Sequence, residues 1–306
     1  MRNCVAQHVL HHVNEALLLA RLRTHVGLIW LNDHQYEVIG LAPKWWCVQK
    51  NEQTISLMER QTPTTYRSST LTCSFADVLR QQWRPAASGM PSSAQGFTGG
   101  LMGMIGYDAA AATHGVQAPH SALGVSHCAV GEYDVFLKKQ GDCWVLYGPD
   151  DPTLAPLYAL IEQQAYAAAA LPVLTLSERL RAVWTAADYQ HAFDRVQAYL
   201  RAGDCYQVNL TQAFVTTAQG ELLAALPALH QLTCAPYAGY LRLDDEHEVL
   251  SCSPELFLSF EANRRVVTRP IKGTQPRHQD AQLDHIAKQR LAQSEKDQSE
   301  NLMIVD

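Results

Sequence analysis

Three strings in this chain hold residue types that chemistry needs. In RPIKGTQPR, running from Arg269 to Arg277, Lys272 stands between an isoleucine and a glycine, with a proline on either side of the turn. A lysine becomes a nucleophile when burial or a neighbouring cation lowers its pKa; Arg269 and Arg277 are near in sequence, and Gly273 lets a ligand approach the backbone. Read locally, Lys272 is either that nucleophile or a solvated turn residue. Glu255 follows Pro254 in SPELF, between two apolar runs, so it is either a turn residue or a general acid. Glu300, in SENLMIVD, is a hard oxygen donor for a metal ion or the first polar residue off a helical stripe. His8, His11 and His12 in HVLHH stand at i, i+3 and i+4, a spacing that clasps a metal from one helix face, but no carboxylate or cysteine completes the set.

The elements that must position these groups are legible around them. In AADYQHAFDRVQAYLRAGD the apolar residues Tyr189, Phe193, Val196 and Leu200 recur at helical spacing, Thr185 can cap the start and Gly203 suits the C′ position. CYQVNLTQAF then alternates, with Tyr206, Val208 and Leu210 on one face of a strand and Gln207, Asn209 and Thr211 on the other. EVLSCSPELFLSF and VVTRPIKGT are β-rich runs bridged by EANRR, and they pair as neighbours. After Pro276 the spacing predicts a helix with Asp280 at its N-cap and Leu283, Ile286, Ala287 and Leu291 on one stripe.

In the first half, short apolar stretches such as VGLIWL and CWVLYG read as sheet, and LYALIEQQAYAAAALP reads as an Ala-rich helix. LTLSERLRAV connects the two halves. The glycines of GFTGGLMGMIGY invite a phosphate-loop reading, yet Gly100-x-x-Gly103-x-x-Gly106 fits neither the Walker nor the dinucleotide pattern, and close backbone packing in a sheet accounts for them better.

With 306 residues, 47% of them hydrophobic, the chain can bury a substantial core as one large domain or two intimate ones. A formal charge of −6 gives no footprint for nucleic acid, so an anionic substrate needs locally placed cations. The eight cysteines are scattered without a C-x-x-C pair or a secretory signal, which predicts reduced thiols in a cytoplasmic protein. No apolar run reaches the roughly 18 residues of a membrane span.

GDCYQVNLTQ from Gly203, SPELF from Ser253, TRPIKGTQPR from Thr268 and SEKDQSENLMIVD from Ser294, taken together and in this order, resemble the chorismate-utilising enzyme family. Within it they are similar to the component I subunits of aminodeoxychorismate (para-aminobenzoate) synthases. GGLMGMIGYD and GEYDVFL look like that family's N-terminal portion, and the resemblance is strongest after residue 185. The lysine of PIKGT marks the aminodeoxychorismate group, where anthranilate synthases usually carry PIAGT.

The resemblance implies an α+β fold, with two facing β-sheet subdomains wrapped by helices. Residues 1–172 would form the N-terminal component I region and 173–306 the first part of the chorismate-binding domain. It implies that Lys272 adds to C2 of chorismate as the C4 hydroxyl leaves, that Glu255 is the acid assisting that departure, and that Glu300 is one of the magnesium-binding glutamates. Asn209, Gly273 and Thr274 match positions around the substrate. Pro236 and Tyr237 correspond to the Pro-aromatic wall of a tryptophan site, while the serine-bearing motif of that site appears here as LIWLNDH. The implied partners are chorismate, Mg2+ and a separate glutamine amidotransferase subunit, since nothing here resembles a Cys-His-Glu glutaminase. Because related chains continue well past the position of Asp306, with a second magnesium glutamate and cations for the substrate carboxylates, the chain reads as C-terminally truncated. The alternatives are an anthranilate synthase component I, or a truncated, non-catalytic subunit that binds the amidotransferase.

Overall fold

The computed structural model of the chain describes residues 4–305 apart from 34, 50, 52–53, 84–95, 108, 110–127, 169, 171 and 262–263. The first stretch runs β1 (Cys4–His11), α1 (Glu15–Leu22), β2 (Ile29–Asn32), β3 (Glu37–Gly40), β4 (Trp45–Gln49), β5 (Ile55–Thr62), β6 (Thr65–Leu71) and α2 (Phe75–Gln82). It continues through β7 (Gly100–Ile105), β8 (Cys128–Tyr133), β9 (Phe136–Gln140), β10 (Cys143–Pro149) and α3 (Ala155–Tyr166). Then follow β11 (Leu174–Leu176), β12 (Arg181–Ala182), α4 (Ala186–Ala202), β13 (Phe214–Val215), β14 (Ala218–Gly220) and α5 (Leu226–Thr233). The last elements are β15 (Tyr237–Arg242), β16 (Glu248–Ser253), β17 (Leu256–Phe260), β18 (Val266–Arg269), α6 (Ala281–Ala292) and α7 (Glu295–Val305).

Two larger sheets face each other. One has seven strands in the order β1-β10-β9-β3-β2-β15-β16, and the other has five in the order β6-β5-β4-β8-β7. The period-2 alternation of strands decides which side chains meet between them. Ile29, Val38, Phe136 and Leu241 of the larger sheet pack on Trp46, Val48, Met102 and Ala129 of the smaller. The opposite faces take the neighbouring residues. Trp30, Ile39 and Tyr240 pack under Leu18 and Leu22 of α1 and Leu157 and Ile161 of α3, while Trp45, Cys47 and Leu57 pack under Val78 of α2. The result is helix, sheet, sheet, helix in layers, the α+β arrangement of facing sheets expected from the resemblance. The glycine-rich segment is a strand, as read: a Cβ on Gly103 would fall on the Ala129 carbonyl of β8, so only glycine allows this approach.

Three two-stranded ribbons complete the described chain: β11-β14, β12-β13 and β17-β18. The last is the neighbour pairing predicted for the two β-rich runs; residues 262–263 of the bridging EANRR lie outside the described residues.

Three expectations are corrected. HVLHH is not helical: His8 and His11 lie in β1, because that segment finds a partner in β10, and a strand does not gather residues at i, i+3 and i+4. Residues 205–213 do not form a regular strand, since alternation supplies a two-faced strand but not a hydrogen-bonded neighbour, and pairing begins only at Phe214. The single helix expected after Pro276 is two, broken between Ala292 and Glu295. The caps were read correctly: Thr185 and Asp188 form a reciprocal capping box, Gly203 ends α4 at φ 78°, and Asp280 accepts from the N–H groups of Gln282 and Leu283. The stripes they frame are only partly covered: Phe193, Leu283 and Ile286 are exposed, Tyr189, Val196, Leu200 and Leu291 are half-buried, and Ala287 is buried. Periodicity tells that a helix has an apolar side, not what lies against it.

Candidate active site

The β17-β18 pairing sets Leu256 opposite Arg269, which brings the residues just before β17 against those just after β18. Glu255 therefore lies beside the RPIKGT turn. Its Oε1 accepts a hydrogen bond from the backbone N–H of Ile271 at 3.1 Å, one residue before Lys272. The approach to Glu255 is fixed by Ser253, whose Oγ accepts from the Glu255 N–H at 3.3 Å and donates to the Glu255 carbonyl at 3.2 Å. Glu255, Lys272 and Gly273 are all half-buried, and Thr274 is exposed.

Gly273 adopts φ +75°, the left-handed region that favours glycine. A Cβ there would lie 2.6 Å from Cγ of Asp297 on α7, so this glycine is where the turn and the helix touch. Ser294 anchors that helix, its Oγ accepting from the Asp297 N–H at 3.3 Å. One turn on, Oε1 of Glu300 accepts from the Gln207 side-chain amide at 3.2 Å. Four strings scattered over a hundred residues of sequence thus converge: SPELF on RPIKGT, RPIKGT on SEKDQSENL, and that helix on CYQVNL.

Sequence reasoning singled out Asn209 from CYQVNL; the structure brings Gln207 of that segment to Glu300 and leaves Asn209 exposed, with no hydrogen bond among the described residues. Asp297 was also passed over. Both had a usable signal, since Gln207 shares the alternating polar face with Asn209, and Asp297 stands i−3 from Glu300. Asp297 and Glu300 are hard oxygen donors of the kind divalent cations take, on one helix face. Among the described residues no three His, Cys, Asp or Glu side chains gather as a preformed metal site; His8 meets Glu162 at 3.1 Å and His11 meets Cys143 at 3.0 Å.

The two arginines flanking the lysine part company. Arg277 turns away to Asp284 on α6, with Nε and Nη2 donating to the two carboxylate oxygens at 2.7 and 2.9 Å. Those bonds, with the His278 N–H, hold the Asp284 carboxyl down at about 2. Arg269 instead lines a cavity of about 290 Å³ with Pro236, Tyr237, Pro254, Leu256, Pro270 and Ile271. The two residues matched to a tryptophan wall therefore share a hollow with the neighbours of Glu255 and Lys272.

Comparison with known proteins gives the following. Residues 30–306 match the family described as chorismate binding enzyme. The chain is 35% identical over 285 residues to aminodeoxychorismate synthase component 1 of Klebsiella aerogenes, covering 92% of this chain and 61% of that protein. It is 39% identical over 221 residues to aminodeoxychorismate synthase component 1 of Salmonella typhimurium, covering 69% and 46%. The chain thus spans about half to three fifths of the length of these relatives. Its fold is similar to that of anthranilate synthase component I from Streptococcus pneumoniae, with a TM-score of 0.66 at 18% identity over 89% of this chain and 60% of that one.

Proposed function

The chain belongs to the family of chorismate binding enzymes, and we propose that it serves as aminodeoxychorismate synthase component I, converting chorismate and ammonia to 4-amino-4-deoxychorismate. The observation that carries this reading is the hydrogen bond from the Ile271 N–H to Glu255 Oε1, which sets a carboxyl beside the lysine of PIKGT. In this reading the Lys272 amine bonds to C2 of the ring, the two conjugated ring double bonds shift, and the C4–O bond breaks. Glu255, with Oε2 left to carry a proton, gives it to the departing hydroxyl, which leaves as water. Ammonia then adds at C4, the two double bonds shift back, and the C2–N bond breaks to return the lysine; the proton released by the incoming nitrogen restores Glu255. One difficult substitution becomes two easier ones.

The Gln207 amide orients the Glu300 carboxylate, and Gly273 keeps the turn against Asp297. Glu300, with Asp297 on the same helix face, fits Mg2+ bound through one or two carboxylates and completed by substrate and water. When bound, that ion would offset the negative charge of the substrate. Asn209 and Thr274 belong to the same proposal as groups exposed toward the substrate, and Pro236 and Tyr237 as one wall of a tryptophan site. Glutamine-derived ammonia would come from a separate amidotransferase subunit. Among the described residues no helix is long and apolar enough to cross a membrane, and the eight cysteines are free thiols, which supports a cytoplasmic setting.

The test is incubation of the protein with chorismate, ammonia and Mg2+, with products identified by mass. 4-Amino-4-deoxychorismate is expected; anthranilate with pyruvate would overturn the reading in favour of an anthranilate synthase.

A further inference from the structure

We propose that Cys143 and His11 form a thiol–imidazole pair at the edge of the seven-stranded sheet, and that this pair is a site of covalent modification by low-molecular-weight disulfides. The proposal is independent of the chorismate chemistry. His11 of β1 stands directly opposite Cys143 of β10 in the strand register, which puts both side chains on one face of the sheet. Cys143 Sγ and His11 Nδ1 lie 3.0 Å apart. With the ring proton on Nε2 the thiol donates to Nδ1, the arrangement of a nucleophile with its base. The histidine is also held in place, since its backbone N–H donates to the Tyr166 hydroxyl at 2.9 Å. His8, on the same strand, is engaged by Glu162 at 3.1 Å, whereas His11 pairs with no carboxylate among the described residues.

The other thiols sharpen the contrast. Burial pushes Cys4 up to about 11 and Cys47 up to about 12, and it raises Cys128 as well, so these three stay protonated. Cys234 is exposed, but its Sγ meets only the Gln231 carbonyl, at 3.7 Å. Cys143 is half-buried, its imidazole partner is exposed, and β1 is the outermost strand of its sheet, so a small reagent can reach the pair. As Sγ attacks one sulfur of the disulfide, its proton passes to Nδ1, the S–S bond breaks, and the departing thiolate takes that proton. Cys143 is thereby oxidised to a mixed disulfide, the leaving half is reduced to a thiol, and the imidazole returns to its neutral form.

The experiment exposes the full chain to glutathione disulfide near neutral pH, quenches with acid at intervals and follows the adduct on each cysteine-bearing peptide by mass. Cys143 is expected to be modified faster than the more exposed Cys234 by about tenfold or more, because a thiol without a base is only slightly ionised at that pH. His11→Gln should bring Cys143 down to the rate of Cys234 while Cys234 keeps its own, and His8→Gln should change neither. Cys47 and Cys128 are buried and report on folding, since they react only when the sheet opens. If they react in His11→Gln, the ratio of Cys143 to Cys234 in the parent decides alone. Equal rates for those two in the parent, or an unchanged Cys143 rate in a folded His11→Gln, would overturn the proposal.

Discussion

Glu255 and Ile271 are joined by a 3.1 Å hydrogen bond from a backbone N–H to a carboxylate oxygen, across sixteen residues of sequence. The bond ties the Glu255 carboxyl to the residue before Lys272 without using the lysine's own side chain. Glu255→Gln keeps an oxygen to accept that N–H but carries no transferable proton. Turnover should fall by about 10²- to 10⁴-fold, the usual contribution of a positioned general acid, while the melting temperature holds. Steady-state rates and calorimetry on the same sample check both halves.

Gly273 separates the turn from α7. Gly273→Ala forces a side chain into φ +75° and toward Asp297, so roughly 1–2 kcal/mol of stability should be lost for the backbone alone. Chorismate turnover should fall with it, because the turn carries Lys272. Denaturant unfolding of the variant measures the first effect; an unchanged midpoint would contradict the contact.

The Arg60–Asp134 pair lies between the sheets, with two bonds of 2.8 and 2.9 Å and side chains only 10% and 13% exposed. Arg60→Ala strands the carboxylate and should cost about 3–5 kcal/mol, which a urea titration would resolve.

Stability should also depend on pH through α1. Lys139 Nζ reaches both Glu37, at 2.5 Å, and Glu15, at 3.4 Å. Burial, followed by the adjoining Glu37, pushes the Glu15 carboxyl up to about 8. The folded chain then holds a proton that the unfolded chain releases above its ordinary value of 4.5, so stability is fully present below that value and declines as pH rises toward 8. Glu15→Gln should remove this decline and leave the variant ~1 kcal/mol or more stabler than the parent at pH 8, the worth of at least one pKa unit. Melting curves from pH 5 to 9 decide it; parallel curves for the two proteins would contradict the shift.

What could be read from the sequence follows the range of the forces involved. The ends of α4 were legible at Thr185 and Gly203 because capping is local. The β17-β18 ribbon was legible because its strands are close in the chain. The strand state of His8 and His11 was not, since it depends on pairing with β10 more than a hundred residues away. Lys272, Glu255 and Glu300 stood out through their motifs. Gln207 and Asp297 did not, because their role is to touch Glu300 and Gly273, and contact is a property of the folded chain. The separation of Arg269 from Arg277 was hidden for the same reason: equal neighbours of the lysine in sequence, they differ only once Asp284 is seen to claim one of them.

The central claim is that Lys272 is the nucleophile, and one comparison tests it most directly. The parent protein and Lys272→Ala are supplied with chorismate, ammonia and Mg2+, and products are resolved by mass. The account predicts 4-amino-4-deoxychorismate from the parent and none from the variant, with the variant folded and still binding chorismate. Undiminished product from Lys272→Ala would contradict it.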